Sequence, residues 1–123
     1  MLDAFERAIV EHGVQAASFA RIAREGGFHR SLVQHHFGTR ERLEDAALAR
    51  VVMVYAARGS ALLHGHPPSA HLGLLLTWFF APFGPSGPPR QARVVDAFIA
   101  LAPTRPAAAA HLRALYGHFT ARL

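Results

Sequence analysis

Cysteine and lysine are both missing from the sequence, and acidic residues are scarce after its first third. The lack of cysteine excludes disulfides, thiolate metal sites and thiol nucleophiles, and it fits a reducing compartment. All 13 basic residues are therefore arginines. With 123 residues and 51% hydrophobic composition, the chain is long enough to fold around one modest core.

A long apolar run is also lacking. The most apolar segment, residues 72–83, is interrupted by Pro82, and it is shorter than the roughly 20 residues that a helix needs to cross a bilayer. The N-terminal residues carry charges every few positions, where a secretion signal would have an apolar centre. We therefore expect a cytoplasmic protein that does not interact with a membrane.

Arrangements typical of enzymes are missing too. The sequence has no nucleophile elbow and no glycine loop after a strand. It also has no separated pair of catalytic carboxylates, because its closely spaced acids, Glu41, Glu44 and Asp45, lie together on one predicted helix. We expect no enzymatic activity and no cofactor.

The charge is distributed unevenly along the chain. The formal net charge is +5, but residues 1–45 contain six arginines and seven acids, a net of −1, whereas residues 46–123 contain seven arginines and only Asp96. The downstream arginines could bind an acidic ligand, although a solvated basic face is the simpler expectation for Arg90, Arg93, Arg105, Arg113 and Arg122.

The apolar residues recur at intervals of three and four, which predicts helices throughout. Ser18 and Thr39 are good N-caps, and glycines end the early helices at Gly13, Gly26–Gly27 and Gly38. The expected helices cover residues 2–12, two turns after Ser18, residues 29–37 and residues 40–63, followed by segments near 69–81, 89–102 and 105–122. We predict an all-α fold, with one helical domain at residues 1–48 and a second, small helical domain at residues 49–123.

The two short helices after Ser18 are joined by the turn REGGFH, residues 24–29, and packed on a first helix they form a helix-turn-helix. In such units the second helix enters the major groove of DNA. Here that helix would be anchored by Val33 and Phe37, which fall on one face at a spacing of four residues.

The segment SFARIAREGGFHRSLVQHHFGTRERL, residues 18–43, resembles the DNA-binding region of the tetracycline repressor (TetR) family of bacterial transcription regulators. The serine cap, the IA pair, the glycine before the turn, the HHFGT run and the basic-acidic-x-leucine opening of the fourth helix carry the match. The resemblance implies an unusually short member that binds a palindromic operator in double-stranded DNA as a homodimer, most often as a repressor, with a small-molecule inducer as a further hypothesis.

The expected DNA contacts lie on the outer face of the reading helix and around the two caps. Arg30 and Gln34 are able to bond guanine and adenine, and the N-terminus of the helix that starts after Thr39 is able to face a phosphate. By the resemblance, His36 and Arg40 match positions that touch the DNA backbone. The full set is Ser18, Arg30, Ser31, Gln34, His35, His36, Thr39 and Arg40.

Downstream aromatic residues have two interpretations. They line an inducer pocket, for which the candidates are Tyr55, Trp78, Phe79, Phe83 and Phe98, or they are packed in the core and in a dimer interface. The last predicted helix is the first candidate for that interface, through Leu112, Leu115, Tyr116 and Phe119.

Two alternatives to a DNA-binding repressor remain at this point. One is a reduced TetR-like interaction protein with weak DNA binding. The other is a small metal sensor that uses His64, His66 and His71 as ligands, although the main interpretation includes no metal site.

Overall fold

The computed structural model describes residues 1–80 and 90–121, and all regular structure among them is helical. These residues form seven α-helices: α1 Leu2–His12, α2 Phe19–Gly26, α3 Arg30–Phe37, α4 Arg40–Leu63, α5 Pro68–Phe80, α6 Arg90–Leu101 and α7 Pro106–Thr120. A short 3₁₀ turn, Ala102–Thr104, precedes α7. The predicted all-α fold class is confirmed.

Side-chain caps begin α2 and α4, as the sequence predicts. The hydroxyl of Ser18 accepts a hydrogen bond from the backbone N–H of Arg21, and that of Thr39 accepts one from Arg42, both at 3.2 Å. Each cap satisfies an N–H group that has no partner inside the helix. His29 makes no such bond at the start of α3, so packing has to hold that helix in place.

Two glycines permit the sharp turns around α3. Gly27 ends α2 with a φ angle of 72°, and Gly38 separates α3 from α4 with a φ angle of 78°. Residues with a side chain are strained in this left-handed region. These two turns fix the direction in which α3 leaves its neighbours.

The helix α4 is the centre of the bundle, because it contacts α1, α3, α5, α6 and α7. By length and composition alone it is apolar enough to cross a membrane. One face of the helix is buried against five other helices, which covers 33% of its apolar stretch.

The buried apolar residues form one continuous cluster that runs from Ala4 in α1 to Phe119 in α7. Within it, α1 packs against α6 as well as against α2. The predicted boundary after residue 48 therefore falls inside a helix and across a shared core. The division into residues 1–48 and 49–123 stays a prediction.

Two buried glutamates tie the first four helices to the last two. Glu6 of α1 is 2% exposed, and its carboxylate pairs with Arg50 at 2.7 Å and with Arg90 of α6 at 3.2 Å. A buried carboxylate is tolerated only when it is paired and hydrogen-bonded. These two arginines therefore hold α1, α4 and α6 together.

The second glutamate is Glu44 of α4, which is 6% exposed. One carboxylate oxygen accepts a hydrogen bond from Arg40, and the other accepts one from Arg105, just before α7, each at 3.0 Å. The downstream arginines thus do not all belong to a solvated face, because Arg90 and Arg105 each neutralise a buried acid.

Candidate functional site

The outward side of α3 carries four exposed polar side chains, which we name the reading face: Arg30, Ser31, Gln34 and His35. The opposite side of the helix is anchored, because Val33 is fully buried and Phe37 is 8% exposed. At 3.6 residues per turn, positions separated by three or four residues share one side of a helix. The structure thus brings these four predicted contacts together.

The reading face offers a mixed set of hydrogen-bonding groups. Its guanidinium donates only, whereas the amide, hydroxyl and imidazole groups donate and accept. None of these four side chains forms an ion pair or a side-chain hydrogen bond with any other described residue. They are available for a ligand without the loss of an internal contact.

Three further predicted contacts lie beside the reading face or at the caps. His36 is exposed, and its ring meets that of Phe37 edge-on at 4.7 Å between centroids. Thr39 and Ser18 are also exposed, each at the N-terminus of a helix. The free N–H groups and the dipole at such an end favour an anion.

Arg40 differs from the expectation. Its guanidinium points into the protein, where it donates to Glu44 and to the backbone carbonyls of Val14 and Ala17, and it lies 5.2 Å from the ring centroid of Phe5. All three guanidinium nitrogens of Arg40 thus donate within the protein, and its contact with a phosphate stays a prediction. The exposed arginine at this helix start is instead Arg42.

The pairing of the buried acids also reduces the negative charge that residues 1–45, with their net charge of −1, expose to solvent. The carboxylates of Glu6 and Glu44 are both neutralised, in part by arginines from later in the chain. Arg24, Arg30 and Arg42 all remain exposed. Net charge counted along the sequence therefore does not describe the charge that residues 1–45 expose.

An aromatic cavity of about 190 Å³ lies between α4, α5, α6 and α7. It is lined by Tyr55, Phe79, Ala92, Val95, Asp96, Leu115 and Tyr116. Of the residues predicted for a pocket, Tyr55 and Phe79 line it, and the ring of Trp78 lies behind them, 4.5 Å from that of Tyr55. Phe119 completes this group of rings, 5.5 Å from Phe79.

Phe98, another of the predicted pocket residues, does not line this cavity. Phe98 is 1% exposed and lines a separate cavity of about 100 Å³ with Glu44, Leu48 and Arg105. Phe83 lies outside the described residues.

The phenol of Tyr55 in the cavity wall has a raised pKa. Burial raises its pKa above the ordinary value of 10.0, and the neighbouring Asp96 carboxylate and Tyr116 phenol act in the same direction. Desolvation and nearby negative charge both disfavour a phenolate. The hydroxyl of Tyr55 is therefore a proton donor at neutral pH.

The predicted dimer residues divide into two groups. Leu112, Leu115 and Phe119 are at most 5% exposed within the protomer, so they have no surface to offer a second copy, whereas Tyr116 is 46% exposed. Tyr116 borders an apolar groove between α5 and α7, whose exposed members include Leu72 and Leu76. The groove, rather than the buried side of α7, is the apolar surface at this end of the bundle.

The histidines of the metal-sensor alternative do not converge. The imidazole of His71 bonds the backbone carbonyl of His66, and His64 is exposed at the end of α4. Among the described residues, the ligating atoms that lie within 4.8 Å of one another belong instead to Glu11, His12 and Glu25. Arg21 donates to His12 there at 3.0 Å, which places a cation where a metal would have to bind.

The fold is shared with a protein of known class. A crystal structure of a transcriptional regulator from Rhodococcus sp. Rha1 matches 93% of this chain with a TM-score of 0.79 and 29% sequence identity. The chain has the fold of a transcriptional regulator. It spans 60% of the length of that regulator. No family model and no curated protein sequence matches the chain.

Sequence reasoning missed the residues whose partners are distant in the chain. Glu6 and Arg90 are separated by 84 positions, and nothing local indicates that they pair. The sequence pattern indicates only the negative charge of Asp96, whereas the structure places this residue in the lining of the aromatic cavity. Its position as the single acid after residue 45 was a usable signal.

Proposed function

We propose that this protein is a DNA-binding transcriptional regulator of the TetR type, which binds a palindromic operator as a homodimer and represses transcription. The reading face carries this proposal. Its four exposed polar side chains stand on a short helix that is anchored from behind and preceded by a glycine turn. An α-helix presented in this way fits the width of the major groove.

Two sets of contacts would divide the work of DNA binding. The reading face would meet base edges, with Arg30 suited to guanine and Gln34 to adenine. Thr39 and the N-terminus of α4, with Arg42 beside them, would hold a phosphate and set the orientation of the helix. Both sets are exposed, one before and one after the turn at Gly38.

We place the second protomer on the groove between α5 and α7. Leu72, Leu76 and Tyr116 are 54%, 48% and 46% exposed there, and adjacent apolar side chains of this size commonly mark an interaction surface. A two-fold axis at this surface would present two reading faces to one DNA duplex.

A small molecule in the aromatic cavity would act through α4. That helix carries Thr39 at its start and Tyr55 in the cavity wall, so a ligand that shifts α4 changes the position of the DNA-binding residues. Release from the operator requires only that the ligand and DNA favour different positions of this helix. A repressor of this kind would act in the cytoplasm.

Substitution of two reading-face residues tests the proposal. Arg30→Ala and Gln34→Ala should each weaken binding to a selected operator by about 1–3 kcal/mol and relax base preference at one position. Fluorescence anisotropy with operator and scrambled duplexes measures both effects. Arg113→Ala, which removes an exposed arginine from α7, is the matched control and should retain the preference.

An unchanged preference in both variants would contradict the assignment of α3 as the reading helix. Loss of preference in all three variants, Arg113→Ala included, would show that the effect is not specific to the reading face. Absence of sequence-specific binding in the unaltered protein would favour the alternative of an interaction protein that uses the α5–α7 groove.

A further inference from the structure

Asp96 has an unusual setting in this chain. It is the single acidic residue among residues 46–123, where seven arginines are present. It nevertheless lies on α6 in the wall of the aromatic cavity, with Tyr55, Phe79 and Tyr116. Its carboxylate is close enough to the Tyr55 hydroxyl to help raise the pKa of that phenol.

Several acids elsewhere in the protein are neutralised by a basic partner. Glu6 and Glu44 each bind two arginines, and Asp45 bonds His111 at 2.7 Å. Among residues 1–80 and 90–121, by contrast, no side chain forms an ion pair or a hydrogen bond with Asp96. Asp96 is exposed, so it places a solvated negative charge, unpaired within the described residues, at the edge of the cavity.

The rest of the wall suits a cation that has an apolar body. Tyr55, Phe79 and Tyr116 contribute aromatic rings, whose faces attract a cation within about 6 Å of the centroid. Ala92, Val95 and Leu115 contribute apolar surface that is buried in the protomer. A carboxylate together with aromatic rings favours an ammonium group and opposes an anion.

We propose that this cavity binds a small organic amine in its protonated form, with the ammonium group at Asp96 and the apolar part between the rings. The volume of about 190 Å³ lies below the roughly 300 Å³ at which pockets for drug-sized ligands begin, so the ligand is small. That binding would control DNA affinity rests on the proposed function; the binding itself does not.

A series of three probes of similar shape and different charge tests the proposal. At pH 7, 2-phenylethylamine is a cation, 2-phenylethanol is neutral and phenylacetate is an anion. Binding is followed in the absence of DNA by the fluorescence of Trp78, the single tryptophan, whose ring lies 4.5 Å from Tyr55 and 5.1 Å from Phe79. The amine should bind about tenfold more tightly than the alcohol, and phenylacetate should bind least.

Asp96→Asn keeps the shape of the side chain and removes its charge, so this variant should bind the amine and the alcohol with nearly equal affinity. Glu11→Gln removes an exposed acid from α1, which does not line the cavity, and should retain the preference. Equal binding of all three probes, binding of none, or an unchanged preference in Asp96→Asn would overturn the proposal.

The outcome is separable from that of the proposed function. Operator binding by the unliganded protein depends on the reading face and is measured without any probe. Sequence-specific DNA binding without amine binding would leave the regulator intact and reject the amine. Amine binding without sequence-specific DNA binding would support the amine site and reject the regulator.

Discussion

At the scale of single residues, the direction of a side chain decides its role. Arg40 and Arg42 are two positions apart at the start of α4, yet one is turned inward to Glu44 and the other is exposed. Both are arginines that follow a capping threonine, so the sequence gives them the same apparent function. The structure assigns Arg40 to internal packing and leaves Arg42 free to meet an anion.

We predict that Arg40→Ala lowers stability, whereas Arg42→Ala weakens DNA binding. Loss of Arg40 removes one donor each from the carbonyls of Val14 and Ala17 and from one oxygen of Glu44, so the free energy of unfolding should fall by about 2–4 kcal/mol. Arg42→Ala should change stability by less than about 0.5 kcal/mol and reduce the salt dependence of DNA binding by about one phosphate contact. Urea denaturation and anisotropy titrations measure the two quantities, and a stable Arg40→Ala variant with weakened DNA binding would contradict the assignment.

The buried phenol of Tyr55 predicts a specific response to alkali. Its pKa is raised above 10.0 in the folded protein, so above that pH the unfolded chain loses a proton that the folded chain keeps. The contribution of Tyr55 to the free energy of unfolding is complete below pH 10 and is lost as the pH rises through the pKa of Tyr55 in the folded protein. Tyr55→Phe should show a smaller loss of stability between pH 9 and about 11 in thermal melts. An identical loss in the variant and the unaltered protein would show that other groups cause it.

At the scale of helices, the contact between α4 and α7 depends on a missing side chain. Gly59 is buried on α4, and a Cβ atom there would overlap the ring of Phe119. Gly117, on α7, has nothing within 4 Å of the position its Cβ would take. The two glycines thus serve different purposes within one packed pair of helices.

Substitution of these glycines by alanine should separate the two purposes. Gly59→Ala should destabilise the protein by about 1–3 kcal/mol, because the Phe119 ring has to move. Gly117→Ala should be neutral or stabilise by up to about 1 kcal/mol, since alanine favours a helix interior. Denaturation midpoints report the difference. Equal effects of the two changes would mean that the Phe119 ring does not rest on Gly59.

The helices themselves could be predicted because their signals are local. The caps at Ser18 and Thr39 and the turns at Gly27 and Gly38 lie next to the residues they organise. Pairs such as Glu6 with Arg90 join residues far apart in the chain, and no sequence spacing encodes them. For the same reason, the apolar side of α7 indicated burial but not whether the partner was α4 or a second protomer.

In the candidate site, too, features with local signals could be predicted and those that depend on distant residues could not. The outward position of Arg30, Ser31, Gln34 and His35 could be predicted from helical periodicity once Val33 and Phe37 were assigned to the inside. The inward turn of Arg40 could not, because two of its acceptors are backbone carbonyls in the loop between α1 and α2. The cavity beside Asp96 requires four helices to meet, and only the folded chain shows that.

At the scale of the whole molecule, one shared core joins α1, α2 and α3 to the α5–α7 groove. Leu76→Asp would place a charge in that groove, where Leu76 is 48% exposed, so the folded monomer should persist while a dimer is lost. Met53→Asp alters an apolar residue on α4 that does not line the groove and is 67% exposed, and it should leave assembly unchanged. Sedimentation equilibrium distinguishes monomer from dimer. A dimer that survives Leu76→Asp would place the interface elsewhere.

The most direct test of the regulator assignment is selection of the unaltered protein against a pool of random DNA duplexes. The account predicts enrichment of an inverted repeat, with half-sites about one helical turn apart or a multiple of it, and affinity that falls steeply with salt. Sequences enriched without two-fold symmetry would contradict the dimeric arrangement. No enrichment, or equal binding to every duplex, would contradict the central claim that α3 reads DNA.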